Sequence, residues 1–495
     1  MATRIASTDL TWLLMDRPNN LMHVNALVGF DTLPDFDTLG DTIMDRMVSK
    51  YRVLSQIPVR RDSDWWWEDD HDFALDRHVR RVVLEDGSEE SIRAYVSSQF
   101  SVPFDRTHPL WEMQLLSGPP DRGSDGFLFT RVHHGIGDGI RLVQMLVGTC
   151  DPAEDDSAAA VRRVGRNAER ENQHPLERAV RVVEQSVTGA VDYAQNATGA
   201  LFGAGRELIT TTNPLGLVDQ VTAGVDLVRS PVRLLDAITS VGSLDNQLSN
   251  SWRELGRMLL SDGSEAGAWS GRPGVEKSVA WIERFPMDGL RDAARAFGGT
   301  LNDVLLGAVS LALTDYLAEH GVEDVTDVSW LMPVSLRPID SSLPPELGNH
   351  FVVVLLSLPL ALHDHRALIT EVHSRTTRLK NSAQPSVAFG FQQVIAEAPE
   401  AVARCLTDFF SGKTIGQLSN VPGPRGGLTF AGAPVRSILG WVPTSGDQPI
   451  GICLFSYNGT VNIGVAADAR MIPDPLRVAH LVESHLRGLT ESARP

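Results

Sequence analysis

Between residues 151 and 250 the chain carries only two aromatic side chains, Tyr193 and Phe202, and on both sides of that stretch strand-like and helix-like patterns alternate. Such a chain divides into two mixed α/β blocks around an insert. In the first block, 1–150, the pattern predicts strands over 25–30, 111–116 and 127–133. Helices are predicted over 36–51, where Leu39, Ile43 and Met47 share one stripe, over 91–100 and over 138–147. The second block, 266–495, predicts strands over 277–282, 328–334 and 351–358 and helices over 287–297, 301–317 and 472–489. Residues 451–467 form two alternating runs around Asn458-Gly459, a strong hairpin signal. The blocks are similar in size, which suggests an α/β pseudo-dimer. The insert, 151–265, opens charged and Ala-rich and is expected to be a helical linker, flexible in part. Residues 176–194 are amphipathic, with Val180, Val183, Val187 and Val191 at helical spacing; 227–238 is similar but broken by Pro231.

Composition excludes some classes. The longest apolar run, 351–362, contains Ser357 and Pro359 and falls short of the about 20 residues a spanning helix needs, so it is expected to be a buried strand. The formal charge of −18 argues against a nucleic-acid partner. Cys150, Cys405 and Cys453 are far apart and form no CxxC pair, so neither a disulfide framework nor a zinc knuckle is expected. The first residues lack the pattern of a secretory leader, and a cytoplasmic location is the expectation.

The sharpest local feature is His133-His134-Gly135-Ile136-Gly137-Asp138-Gly139. Two histidines end a predicted strand and a Gly-rich turn feeds a helix. Neighbours on a strand face opposite ways, so the two rings serve different layers. Glycines permit a tight turn and leave room for a ligand. An imidazole there can take a proton near neutral pH; the competing reading is a structural His pair beside a turn.

This heptapeptide fits the HHxxxDG motif of the CoA-dependent acyltransferase superfamily, which includes chloramphenicol acetyltransferases and peptide-synthetase condensation domains. Within it the chain most closely resembles the bacterial wax ester synthase/acyl-CoA:diacylglycerol acyltransferases. Ser7, Asp9 and Pro18-Asn19-Asn20-Leu21-Met22-His23-Val24 look like that family's opening, with Leu21 where the family often has Pro. Pro109-Leu110-Trp111-Glu112, Gly299-Thr300-Leu301-Asn302-Asp303-Val304, Pro333-Val334-Ser335-Leu336-Arg337-Pro338, Leu347-Gly348-Asn349 and Ser419-Asn420-Val421-Pro422-Gly423-Pro424 resemble its later blocks, in order. The resemblance covers nearly the whole chain apart from 151–265, the least similar region.

The resemblance implies two chloramphenicol-acetyltransferase-like halves with the active site at their interface. It implies transfer of a long acyl chain from acyl-CoA to a hydroxyl of diacylglycerol or a fatty alcohol, with no acyl-enzyme, which fits the lack of a G-x-S-x-G elbow. His134 would be the general base, and His133 stands beside it with a structural role expected. Asn302 would donate to the oxyanion, or else serve as a helix cap or buried amide. Gly137, Gly139, Ser419 and Asn420 would line the substrate. Asp138 would pair with Arg337 and hold the histidine turn against the other half. No cofactor or metal is expected, acyl-CoA being a substrate. A hydrophobic acceptor implies peripheral contact with the inner membrane face or a lipid droplet, for which the insert is a candidate.

Other features lead elsewhere. Gly412-Lys413-Thr414 ends like a phosphate-binding loop, but Thr407 stands where that motif needs Gly. His363-Asp364-His365 lacks a third ligand and is expected to be a solvated loop. Trp65-Trp66-Trp67 is expected to be partial core at a strand, with a lipid-facing patch as the alternative, and Trp111 to be core. Two other functions stay open: acyl transfer to a polyketide or glycolipid hydroxyl, and non-catalytic lipid binding.

Overall fold

The computed structural model describes residues 2–153, 271–322, 325–335, 343–382 and 411–494, apart from positions 63, 120, 122 and 124, together with scattered positions between 384 and 408. The helices expected in the insert, and Arg337, lie outside the described residues.

The first block contains β1 (Thr3–Arg4), α1 (Ser7–Met15), β2 (His23–Phe30), α2 (Phe36–Ile43), β3 (Gln56–Arg61), β4 (Asp64–Asp69), α3 (Leu75–His78) and β5 (Val79–Val83). It continues through α4 (Glu89–Gln99), β6 (Trp111–Ser117), β7 (Gly126–His133), α5 (Gly139–Thr149) and β8 (Asp151–Pro152). The second begins with β9 (Lys277–Pro286), α6 (Asp288–Phe297), α7 (Leu301–Glu319), β10 (Asp327–Ser335), β11 (Phe351–Pro359) and α8 (His365–Lys380). It ends with β12 (Gly416–Pro422), β13 (Leu428–Phe430), β14 (Ala433–Trp441), β15 (Ile450–Tyr457), β16 (Thr460–Asp468) and α9 (Pro475–Ser492).

Two large sheets carry the fold. One has the order β11-β10-β12-β15-β16-β9 and comes wholly from the second block. The other has the order β5-β6-β7-β2-β14-β13-β8, so β13 and β14 cross over to complete the first block's sheet. Residues 25–30 pair with 435–441 in antiparallel register, Asn25 opposite Trp441. A small sheet, β1-β4-β3, holds the tryptophan run: Trp67 is buried and Trp65 and Trp66 half-buried, as expected of partial core at a strand. A buried cluster of Leu27, Phe129, Trp281, Leu439, Trp441 and Ala466 joins elements of both blocks. Burying such aromatic and aliphatic side chains stabilises by about 1.5–3 kcal/mol each.

Local chemistry sets the element ends. Thr300 and Asp303 form a reciprocal capping box at the start of α7. Asn458 and Gly459 take positive φ of 44° and 76° and turn β15 into β16. The expected helix over 36–51 is α-helical through Ile43 and then a π-helical turn, Met44–Val48. Of the described helices, α7 alone is long and apolar enough to cross a membrane, but most of it is buried in the second block's core against α6, α8 and α9. Asp364 caps α8, and His365 Nδ1 lies 3.0 Å from Ser492 Oγ. Among the described residues no group of three or more His, Cys, Asp or Glu is placed to hold a metal ion.

Candidate active site

Strand β7 is buried along its whole length between β2 and β6 and delivers both histidines to its end. The chain then turns through Gly135. A Cβ there would sit 2.8 Å from Leu13 Cγ, so the close approach of α1 requires glycine.

His133 faces the scaffold. Its Nδ1 accepts the Gly135 N–H at 3.0 Å, so Nε2 carries the proton and donates to Asp16 Oδ2 at 3.1 Å. Asp16 also accepts from Met22 N–H at 2.7 Å and from Arg106 at 3.1 Å. Burial raises the Asp16 carboxyl, but the hydrogen bonds from His133 and the Met22 N–H outweigh it and leave the pKa well below the usual range. Both His133 nitrogens are engaged, so its place among the catalytic candidates gives way to the structural role.

His134 faces the other way. Its ring stacks on Trp12 (centroids 4.2 Å apart, planes 22° apart) and lies 5.4 Å from Phe351. Its backbone N–H donates to Met22 O at 2.7 Å. Burial holds its pKa well below the ordinary imidazole value, against the opposing pull of Asp138. The ring is therefore neutral at pH 7, the state a general base needs.

Asp138 is the N-cap of α5. Oδ1 accepts Arg141 N–H at 2.9 Å and Oδ2 accepts His350 N–H at 2.8 Å. Arg141 Nε lies 4.0 Å from Oδ2. Among the described residues Asp138 makes no hydrogen bond to His134; it fastens the histidine turn to the segment that leads into β11. Gly137 belongs to the same seam, bridged to Gly348.

A cavity of about 1060 Å³, counting its mouth, opens beside His134. The first block contributes Val24, Met113, Thr130 and Leu142 to its wall, and the second Phe351, Ile438, Trp441 and Phe455. Gly139, Ser419 and Asn420 also line it; Gly137 does not. Asn302 stands one residue back, its Oδ1 accepting from Asn420 Nδ2 at 2.9 Å. Trp111 is core, with its indole N–H on Leu54 O.

Three site residues carried no role in the sequence reading: Trp12, Phe351 and Asn349. Asn349 Nδ2 donates to the carbonyl oxygen of His134 at 2.8 Å. The available signals were the Leu347-Gly348-Asn349 block and the three-residue spacing of Asp9 and Trp12, which puts both on one face of α1.

Comparison with known proteins agrees with this geometry. The Wax ester synthase/diacylglycerol acyltransferase catalytic domain matches residues 5–305, and the WS/DGAT C-terminal domain matches 347–490. The O-acyltransferase WSD of Acinetobacter baylyi is 23% identical, covering 94% of this chain and 92% of that protein. A Mycobacterium tuberculosis protein named as a probable diacylglycerol O-acyltransferase, tgs1, is 24% identical, over 86% of this chain and 81% of its own. Among solved structures, the wax ester synthase/diacylglycerol acyltransferase from Marinobacter aquaeolei VT8 superposes with a TM-score of 0.64 at 18% identity, covering 99% of both chains. The first condensation domain of the CDA synthetase superposes with a TM-score of 0.54 at 14% identity, over 99% of this chain and 95% of that one. With one family's catalytic model spanning more than half of the sequence, and the histidine turn, capped helix and shared cavity in place, this chain belongs to the wax ester synthase/diacylglycerol acyltransferase family.

Proposed function

We propose that this protein is an acyl-CoA-dependent O-acyltransferase that moves a long acyl chain to a hydroxyl of diacylglycerol or a fatty alcohol, giving triacylglycerol or wax ester. The observation that carries the proposal is a neutral, buried His134 at the wall of a mostly apolar cavity built by both blocks. His134 takes the proton of the acceptor hydroxyl as its oxygen attacks the thioester carbonyl. The tetrahedral oxyanion accepts hydrogen bonds from the Ser419–Asn420 wall, where Asn302 holds one N–H of the Asn420 amide and leaves the other free to donate. Collapse expels the CoA thiolate, which recovers the proton from His134. Trp12 and Phe351 keep water from the ring faces, so hydrolysis of the thioester is suppressed. Acyl-CoA enters as substrate with no further cofactor. Peripheral contact with a membrane or lipid droplet belongs to the same proposal, since both products partition into lipid.

The test is free-thiol release from palmitoyl-CoA by the pure protein with diacylglycerol, hexadecanol or no acceptor. Acceptor-dependent release with triacylglycerol or wax ester formed is expected. Release only with a different hydroxyl acceptor would reassign the substrate, and no release with any acceptor would point to a lipid-binding protein.

A further inference from the structure

Resting on the acyl-transfer reading, we infer that Asn349 is the positioning residue of the base: held by Asp9, its amide oxygen takes the Nδ1–H of His134 and turns a bare Nε2 to the cavity. Asn349 belongs to the second block, Asp9 to α1 and His134 to the turn after β7, so the device is assembled from three separate segments.

Asn349 Nδ2 donates to Asp9 Oδ1 at 2.8 Å and to the His134 carbonyl oxygen at 2.8 Å. Its backbone N–H donates to the same Asp9 oxygen at 2.9 Å. Two acceptor oxygens thus fix which end of the amide is nitrogen, since the flipped amide would set its own oxygen against both. The amide oxygen is left over. It is buried and has no partner among the described residues, and the same is true of His134 Nδ1. A buried acceptor and a buried ring nitrogen, each orphaned, sit on two residues already joined by a hydrogen bond. Each is costly alone and satisfied by the other. Their pairing requires the Nδ1–H tautomer, which leaves the Nε2 lone pair for the acceptor hydroxyl.

The surroundings explain why an amide suits this place. Asp138, at the cap of α5, already favours the imidazolium, and burial opposes it. Arg141 and Asp9 carry opposite charges around Gly348 and Asn349. Trp12 and Phe351 cover the ring without charge. A neutral amide orients the ring without adding a second carboxylate beside it, so the base stays unprotonated at neutral pH.

The full chain would be assayed for kcat and KM against pH as wild type, Asn349→Ala and Asn349→Asp. A carboxylate against Nδ1–H moves the acidic limb of kcat/KM upward by about 1–3 pH units. Asn349→Ala leaves KM near wild type, lowers kcat by at least about tenfold through loss of base orientation, and does not move the limb upward. Wild-type limbs and kcat in both variants would overturn the inference. A second measurement needs no variant: histidine-labelled wild type is expected to show His134 as the Nδ1–H tautomer by ¹⁵N shifts, and an Nε2–H tautomer would refute the pairing. Absence of thiol release by wild type would sink the acyl-transfer reading instead, leaving the tautomer to decide the pairing.

Discussion

Replacing Asp138 by alanine separates a structural from a catalytic carboxylate. The side chain accepts the Arg141 N–H as the cap of α5 and the His350 N–H across the seam. Loss of a helix cap costs about 0.5–2 kcal/mol, and loss of a hydrogen bond to a charged acceptor about 1.5–3 kcal/mol. Together Asp138→Ala should cost about 2–5 kcal/mol. Asp138→Ser keeps a good cap but cannot reach both N–H groups, so it should recover about 1 kcal/mol of the loss. The assay is thermal melting of the full chain beside thiol release from palmitoyl-CoA. The expected order of stability is wild type, Asp138→Ser, Asp138→Ala, with activity falling in step as the histidine turn loosens. An Asp138→Ala protein that melts like wild type yet fails to turn over would mean that the carboxylate acts on His134 directly, and the seam assignment would have to be dropped.

His134→Ala should fold normally and lose about 10²–10⁴-fold in turnover, whereas His133→Ala should lose yield or melting temperature through the Asp16 link; an active His134→Ala, above about a tenth of wild type, contradicts the assignment of the base. Asp9 is raised to about 6 by burial, against the hydrogen bonds from Asn349. A carboxyl whose folded pKa lies above its unfolded one favours the fold at low pH and loses that contribution as pH climbs through the folded value. Denaturant midpoints of wild type should therefore carry a downward slope between about pH 4 and 6 that Asp9→Asn lacks; identical pH–stability curves would rule this out.

Where physics is local, the sequence was readable. Alternation along 127–133, the glycines after His134 and the helical spacing over 138–147 place the site's core segment, and Asn458-Gly459 places the last hairpin. The resemblance points to Asn302 as the oxyanion donor; in the structure Asn420 lines the cavity and Asn302 accepts its amide from behind, a difference of one side-chain layer that a motif does not encode. The convergence of Asp9, Trp12 and Asn349 on His134 joins residues more than 100 positions apart, and no periodicity encodes such a meeting. Strand β14, Ala433–Trp441, is absent from the sequence expectation, and its crossing is hidden further because alternation marks a strand's faces and leaves its edge partner unstated.

That crossing strand has a consequence for biosynthesis. Strand β2 hydrogen-bonds β7 on one edge and β14 on the other. When Phe30 leaves the ribosome, its eventual partner strand, Ala433–Trp441, lies roughly 400 residues away, about 20–80 s at translation speeds of about 5–20 residues per second. For that interval an eight-residue, mostly apolar strand presents unpaired N–H and C=O groups to whatever is nearby, the condition under which nascent chains aggregate or recruit chaperones. The first block thus cannot complete its sheet as it emerges; its partner β14 follows only after strands β9 to β13 of the second block have been made.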